Sequence, residues 1–423
     1  MRVAHLLRKY NPAEWGGTET VIHQMFEGLR REGVDSVVYC PALSRTARQS
    51  AGRDPLAEAG CIVQRFDACV PIWGISPEQR RQMIAVGGNL MSFDLIRTLW
   101  TAPRLTLIHS HALGRVGGIG MTIARRRRIP FVVTVHGGVY DLPEGLRQAL
   151  NTPARHGVEW GKLFGMLLRA RHVLAEADAI FTCNRREAEL LQQRLPDRRV
   201  IVQPHAVRAA LYEPDHRATA RAAFPQLRER DVLLAVGRVD PVKNQGFLVE
   251  QMPEIVRRHP RALLVLAGPC TDEAYGPMLD RRIADLGLQE HVLLTGKIPP
   301  SDPRLIGLMQ SARVALLPSV SETFGLVILE AWAAGTPAVS SRTSGATALI
   351  EPGRTGWLFD LHQPAGFHAA VDVVLTQPEV CRRVTAAARE RVIADYDTRV
   401  LAARIRKTYQ ELAEEHHALR NPA

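Results

Sequence analysis

Two glutamates bracket the most informative stretch of this 423-residue chain, Leu317-Pro-Ser-Val-Ser-Glu-Thr-Phe-Gly-Leu-Val-Ile-Leu-Glu-Ala331. It reads as a strand ending at Pro318 and a helix beginning near Phe324, with Thr323 as N-cap, Glu322 before the helix and Glu330 inside it. A helix start offers free backbone N–H groups and the positive end of the helix dipole, so it suits a diphosphate, and Gly325 lets a ligand come close. Carboxylates do not bind phosphate. Their partners are hydroxyls, one pair on a sugar and one on a ribose. The pattern is that of a site for a sugar nucleotide.

A second cluster, Ala235-Val-Gly-Arg-Val-Asp-Pro-Val-Lys-Asn244, places two cations directly after a strand. Arg238 and Lys243 alone would pass for exposed turn cations; beside the glutamate motif they read as the groups that offset the charge of a leaving nucleotide. In Trp15-Gly-Gly-Thr-Glu-Thr20 a glycine turn at Gly16 and Gly17 exposes amides at a helix start. His109 and His111 project to one face of a strand, but no third metal ligand at suitable spacing accompanies them, so no metal site is expected. His136, at a turn with Gly137, is either a packed strand-end histidine or a sugar contact, and we read it as the contact.

Elements that would position these residues follow a βαβ rhythm. Apolar runs at Val3–Leu7, Ser36–Cys40, Ile62–Phe66, Leu105–His109, Phe131–His136, Ala179–Asn184 and Val200–Gln203 alternate with helical stretches. A second series comprises Val232–Gly237, Ala262–Gly268, Val292–Gly296, Val314–Pro318 and Ala338–Ser341. The fold class is therefore α/β, with two Rossmann-like, doubly wound parallel-sheet domains. The proline-containing stretch from Pro204 to Arg230 marks the junction. The expected domains are 1–207, an Arg-rich acceptor domain, and 208–395, a donor domain; 396–423 is a helix returning to the first domain, plus a tail.

The length exceeds what one core usually supports, and the apolar content of 46 % is ordinary for a folded globular chain. Six scattered cysteines lack metal or redox spacing, and neither a signal peptide nor a membrane span is read, so a cytoplasmic chain is expected. Residues 1–208 carry 29 Lys and Arg against 18 Asp and Glu, whereas the remainder balances at 25 each. An anionic partner for the first half, such as a membrane surface, fits this asymmetry as well as a solvated Arg-rich surface does. The run Arg125 to Arg128 and the apolar stripe within Arg147 to Ala177 (Val158, Leu163, Phe164, Leu167, Leu168) are its candidate membrane-facing parts.

Together these motifs resemble the family 4 retaining glycosyltransferases, over nearly the whole chain, and the resemblance implies the GT-B fold with a deep cleft between the two domains. It implies that Arg238 and Lys243 hold the diphosphate and Glu330 the ribose. Glu322 with the Phe324-Gly325-Leu326 backbone would hold the donor sugar, and Lys297 and Ile298 resemble the base-contacting loop. Gly16 and Gly17 match the family's glycine loop, Thr134-Val135-His136-Gly137 its segment with the sugar-facing histidine, and His109-Ser110-His111 its His-x-His strand end on the acceptor side. Pro204-His205-Ala206-Val207-Arg208 departs from the common Pro-Asn-Gly-Val-Asp, and Ala348 stands where a glutamate is usual.

What the resemblance implies is transfer of a hexose-type sugar from a nucleotide-diphosphate sugar to an acceptor hydroxyl, with domain closure, and with neither metal nor resident cofactor. The acceptor would be a glycan or lipid-linked saccharide in cell-envelope polysaccharide or glycolipid synthesis. Peripheral contact with the inner face of an anionic membrane is expected, and no nucleic-acid partner. The rival readings are a sugar-nucleotide 2-epimerase of the same fold and a non-catalytic sugar-nucleotide-binding protein. A nicotinamide dehydrogenase is disfavoured because the first strand does not lead into a Gly-x-Gly-x-x-Gly turn.

Overall fold

The computed structural model describes residues 1–12, 16–43, 54–85, 88, 90–137, 139–140 and 158–420. Trp15 and the part of the apolar stripe from 147 to 157 lie outside them. The chain divides into two compact units, Met1–Pro204 with Arg399–Ala423, and His205–Thr398.

The first unit is built on β1 (Arg2–Leu6), β2 (Asp35–Pro41), β3 (Ile62–Phe66), β5 (Leu107–Ser110), β6 (Phe131–Val135), β8 (Ala179–Thr182) and β9 (Val200–Val202). They form a parallel sheet in the order β3-β2-β1-β5-β6-β8-β9. Most of its strands are buried on both faces, which is why they read as continuous apolar runs. One face packs under helices that include Gly114–Arg127, where Gly120 is pressed against Leu6 and Phe131 and leaves no room for a side chain. Ile405, Tyr409 and Leu412 of the last helix, Thr398–Arg420, close the core on the other face. Chain reversal happens between β1 and β5, so the switch point of this sheet lies at their carboxyl ends.

The second unit holds β10 (Asp231–Val236), β11 (Ala262–Ala267), β12 (Val292–Gly296), β13 (Val314–Leu317), β14 (Ala338–Ser341) and β15 (Trp357–Phe359). Their order is β12-β11-β10-β13-β14-β15, again all parallel, with the switch point between β10 and β13. The loops after these two strands carry Arg238 with Lys243 and Glu322 with Gly325.

Two features differ from the sequence reading. β15 and the short antiparallel pair β4 (Ile72–Trp73) with β7 (Val158–Glu159) were not anticipated, being too short to show a period. The helix after β13 starts at Leu326, capped by Gly325 in the left-handed region at φ 89°, and not by Thr323. Glycine alone takes that φ without strain, so the turn and not a side-chain oxygen sets where the helix begins. Among the described residues no helix is long and apolar enough to cross a membrane.

Candidate donor site and histidine cluster

Lys243 Nζ donates to Glu322 Oε2 at 2.5 Å, and this ion pair joins the loops after β10 and β13. Both side chains are about a quarter exposed or less. Backbone bonds fix the same juxtaposition: Val320 N donates to Val242 O at 2.9 Å and Asn244 Nδ2 to Pro318 O at 3.2 Å. The β10 loop is also folded on itself. Asp240 accepts from Lys243 N at 2.9 Å and pairs with Arg238 at 3.1 Å, while Gln245 Nε2 donates to Arg238 O at 2.8 Å. Arg238 keeps its guanidinium mostly in solvent, where it can meet an anion. Gly237 and Gly268 touch so closely, at φ 146° and 158°, that a side chain at 268 would collide with the Gly237 carbonyl.

The Glu322 loop rests on the turn after β14. Gly345 N donates to Glu322 O at 2.9 Å and Ser344 Oγ to the same carbonyl at 3.3 Å. A Cβ at Gly345 would lie 2.6 Å from Phe324 Cα, so only glycine fits beneath that loop. Phe324 is itself buried edge-on against His205 at 4.7 Å between centroids. His205 thereby has a packing role at one of the places where the chain departs from the family pattern. Ala348, the other departure, lies exposed on the Ser344–Leu349 helix. Glu330 is buried in the second turn of the Leu326–Ala333 helix, and desolvation raises its carboxyl to about 7. Ile298 and Lys297 follow β12 past Gly296, which has φ 69°.

In the first unit, parallel register sets His5 opposite His109 across β1 and β5. His5 Nδ1 lies 3.2 Å from His111 Nε2, and His111 Nδ1 lies 2.7 Å from His136 Nε2. His109 meets Tyr409 Oη at 2.5 Å and Thr134 Oγ1 at 2.6 Å. Burial first, and then the neighbouring imidazoles, push His5, His109 and His111 well below the ordinary imidazole range, so they are neutral at physiological pH.

His5 is the third histidine that spacing did not supply, and with His109 and His111 its nitrogens lie within 4.8 Å of one another. Metal ligation would require breaking bonds already made, since both ring nitrogens of His109 and of His111 are engaged. His109, expected on the acceptor side, is wholly buried, with its ring nitrogens on the Tyr409 and Thr134 hydroxyls.

Sequence reasoning also missed Glu187. This buried carboxylate accepts from Val139 N at 2.9 Å and Tyr140 N at 3.2 Å, anchoring the segment after His136 and Gly137. Asn184 caps its helix by accepting from Glu187 N at 2.8 Å. The Asn-x-x-Glu spacing of a capping box is the signal that was available for it. Gly16 is the N-cap of the Gly17–Arg31 helix, and its N–H donates to Glu19 Oε2 at 3.1 Å.

Two parallel-sheet units with charged loops at the second unit's switch point define a GT-B protein. The profile described as "Glycosyl transferases group 1" matches residues 217–391, and that of the "Glycosyl transferase 4-like domain" matches residues 16–206. The chain belongs to this glycosyltransferase family. Curated relatives include the D-inositol 3-phosphate glycosyltransferases of Acidothermus cellulolyticus, 32% identical over 64% of this chain, and Frankia alni, 28% identical over 88%. The matches span 59% and 89% of those proteins, so the chain covers less than two thirds of the first. Anabaena HepE, solved in complex with UDP-glucose, shares the fold over 97% of this chain and 100% of its own, with a TM-score of 0.71 at 18% identity. Sucrose-phosphate synthase of Thermosynechococcus elongatus does so over 97% and 98%, with a TM-score of 0.71 at 21% identity.

Proposed function

We propose that the chain transfers a hexose-type sugar from a nucleotide-diphosphate sugar to an acceptor hydroxyl, with retention, and without a metal ion or resident cofactor. The observation that carries this reading is the Lys243–Glu322 pair at the switch point of the second unit, with Arg238 exposed on the same loop. Arg238 and Lys243 hold the diphosphate and offset its charge as the sugar leaves. Glu322 and the amides from Phe324 to Leu326 hold the sugar, Glu330 the ribose, and Ile298 the base. Gly16, Gly17 and Gly137 allow close backbone approach, and His136 is a polar contact to the sugar. The acceptor oxygen attacks the anomeric carbon as its bond to the diphosphate breaks, and the acceptor proton passes to the departing phosphate oxygen. The chain contributes positioning and charge stabilisation.

The UDP-glucose bound to HepE and the acceptor named for the inositol-phosphate relatives make UDP-sugars and an inositol phosphate the first pair to try. A lipid-linked saccharide of the cell envelope is the second acceptor. Incubating the chain with each pair and reading the product by NMR tests the proposal. We expect a glycoside with the donor's anomeric configuration, formed equally in EDTA. Epimer formation without acceptor, or donor binding without transfer or hydrolysis, contradicts it.

To the first unit we assign peripheral contact with an anionic membrane at the cytoplasmic face. Its support is the exposure of Leu163, Met166 and Leu167, the last exposed at 71% and lining one surface with Arg125, Arg126 and Arg169. Leu168 instead joins the core. Cosedimentation with phosphatidylglycerol vesicles but not with phosphatidylcholine vesicles is the expected result, and equal partitioning overturns it.

A further inference from the structure

Gly325, at φ 89°, is the joint between the Glu322 loop and the helix after β13. Glycine has the widest choice of backbone angles of any residue, so amides aligned across it require both of its neighbours to be held. The Leu326–Ala333 helix holds one side. On the other, Phe324 is pinned by its ring. His205 meets that ring at 4.7 Å between centroids and 67°, and Tyr396 meets it at 6.5 Å and 60°, both in the edge-to-face geometry that aromatic rings prefer. His205 is the first residue of the second unit, and Tyr396 lies close to its last, Thr398. These two ends of the unit are zipped together: Val207 N donates to Tyr396 O at 2.9 Å and Thr398 N to Val207 O at 3.1 Å. Tyr396 also closes a five-residue π-helical turn, Val392–Tyr396, a form that is rare and frequent at functional sites.

We propose that His205 and Tyr396 are positioning residues for the donor sugar: through the Phe324 ring they set the direction of the amides from Phe324 to Leu326. That use rests on the proposed role of those amides; the pinning of Phe324 does not. Gly345, packed under the Phe324 backbone, blocks movement of the loop toward the Ser344–Leu349 helix, and the two rings restrain rotation at Phe324. Glu322 shares the anchor, since Gly345 N holds its carbonyl at 2.9 Å. Arg238 and Lys243 belong to the loop after β10. The rings therefore govern the hold on the sugar, and the cations govern the hold on the diphosphate.

The test compares Tyr396→Leu and His205→Leu, which remove a ring, with Tyr396→Phe, which keeps one, all in the full-length chain. Without ligand, hydrogen exchange read by mass spectrometry should speed up in both leucine variants in peptides containing Ile328 and Gly345, whose amides are bonded to Gly325 O and Glu322 O. Tyr396→Phe should exchange there as the unsubstituted chain does, and peptides from β10 and β11 should be unchanged in all three. With whichever of UDP-, GDP-, ADP- and dTDP-sugars supports transfer, each leucine variant should lower kcat roughly tenfold to a hundredfold and keep its affinity for the nucleoside diphosphate alone. Tyr396→Phe should restore kcat. Unaltered exchange at Ile328 and Gly345 in both leucine variants, or exchange accelerated equally in β10 and β11, overturns the pinning. Loss of nucleoside-diphosphate affinity in step with kcat overturns the positioning role in favour of general packing. Faster exchange confined to Ile328 and Gly345, in a chain that transfers sugar from none of the four donors, upholds the pinning and overturns the donor reading instead.

Discussion

Glu322 accepts from Lys243 at 2.5 Å across the switch point of the second unit, so each residue proposed for the donor is the other's counter-ion. A diphosphate entering here meets a lysine already desolvated in part and held by Asp240 through its backbone N–H. Lys243→Ala and Glu322→Ala should each cut turnover about a hundredfold or more. Their effects should be less than additive in the double variant, because each removes the other's partner. Circular dichroism should show the fold intact. Unchanged kcat/KM in either single variant would refute the site.

Glycine at 345 is required by the backbone of Phe324, which a Cβ would approach to 2.6 Å at Cα. Gly345→Ala should therefore push the Glu322 loop away and lower stability by roughly 1–3 kcal/mol, as overpacking does. Urea unfolding measures the loss, and donor affinity should fall with it.

Burial raises Glu330 from its ordinary 4.5 to about 7, so the folded chain binds this proton more tightly than the unfolded chain. The linked stability is full below pH 4.5 and declines as pH rises toward 7. Above pH 7 the ionised, buried carboxylate costs about 3 kcal/mol. Glu330→Gln should therefore be more stable than the unsubstituted chain at pH 8 and nearly equal at pH 5, by urea midpoint. A constant difference across that range contradicts the burial account.

Tyr409 on the last helix ties that helix to His109 on β5. Tyr409→Phe keeps the ring and removes the hydroxyl, and should cost about 1 kcal/mol, the net worth of one buried hydrogen bond. Thermal unfolding followed from the first unit reads it.

Legibility divides along chain distance. The long parallel strands showed in the sequence because burial on both faces makes each a continuous apolar run, as in the six residues Ala262–Ala267, and the site loops showed because they follow such runs directly. His5 stayed hidden because its contact with His111 spans 106 residues and exists only through the register of β1 and β5. Tyr409 was hidden for the same reason, its bond to His109 spanning 300 residues. The helix start was misplaced because Thr323 is a good cap by type, whereas the left-handed turn at Gly325 decided the matter.

Thermal unfolding in the presence of UDP-, GDP-, ADP- and dTDP-sugars, run in parallel on the unsubstituted chain and on Lys243→Ala, tests the donor site most directly. A ligand that binds only the folded state raises the midpoint, and raises it further as its concentration exceeds its dissociation constant. At least one nucleotide sugar should raise the Tm of the unsubstituted chain and fail to raise that of the variant. No shift with any of the four, or the same shift in both proteins, would contradict the assignment.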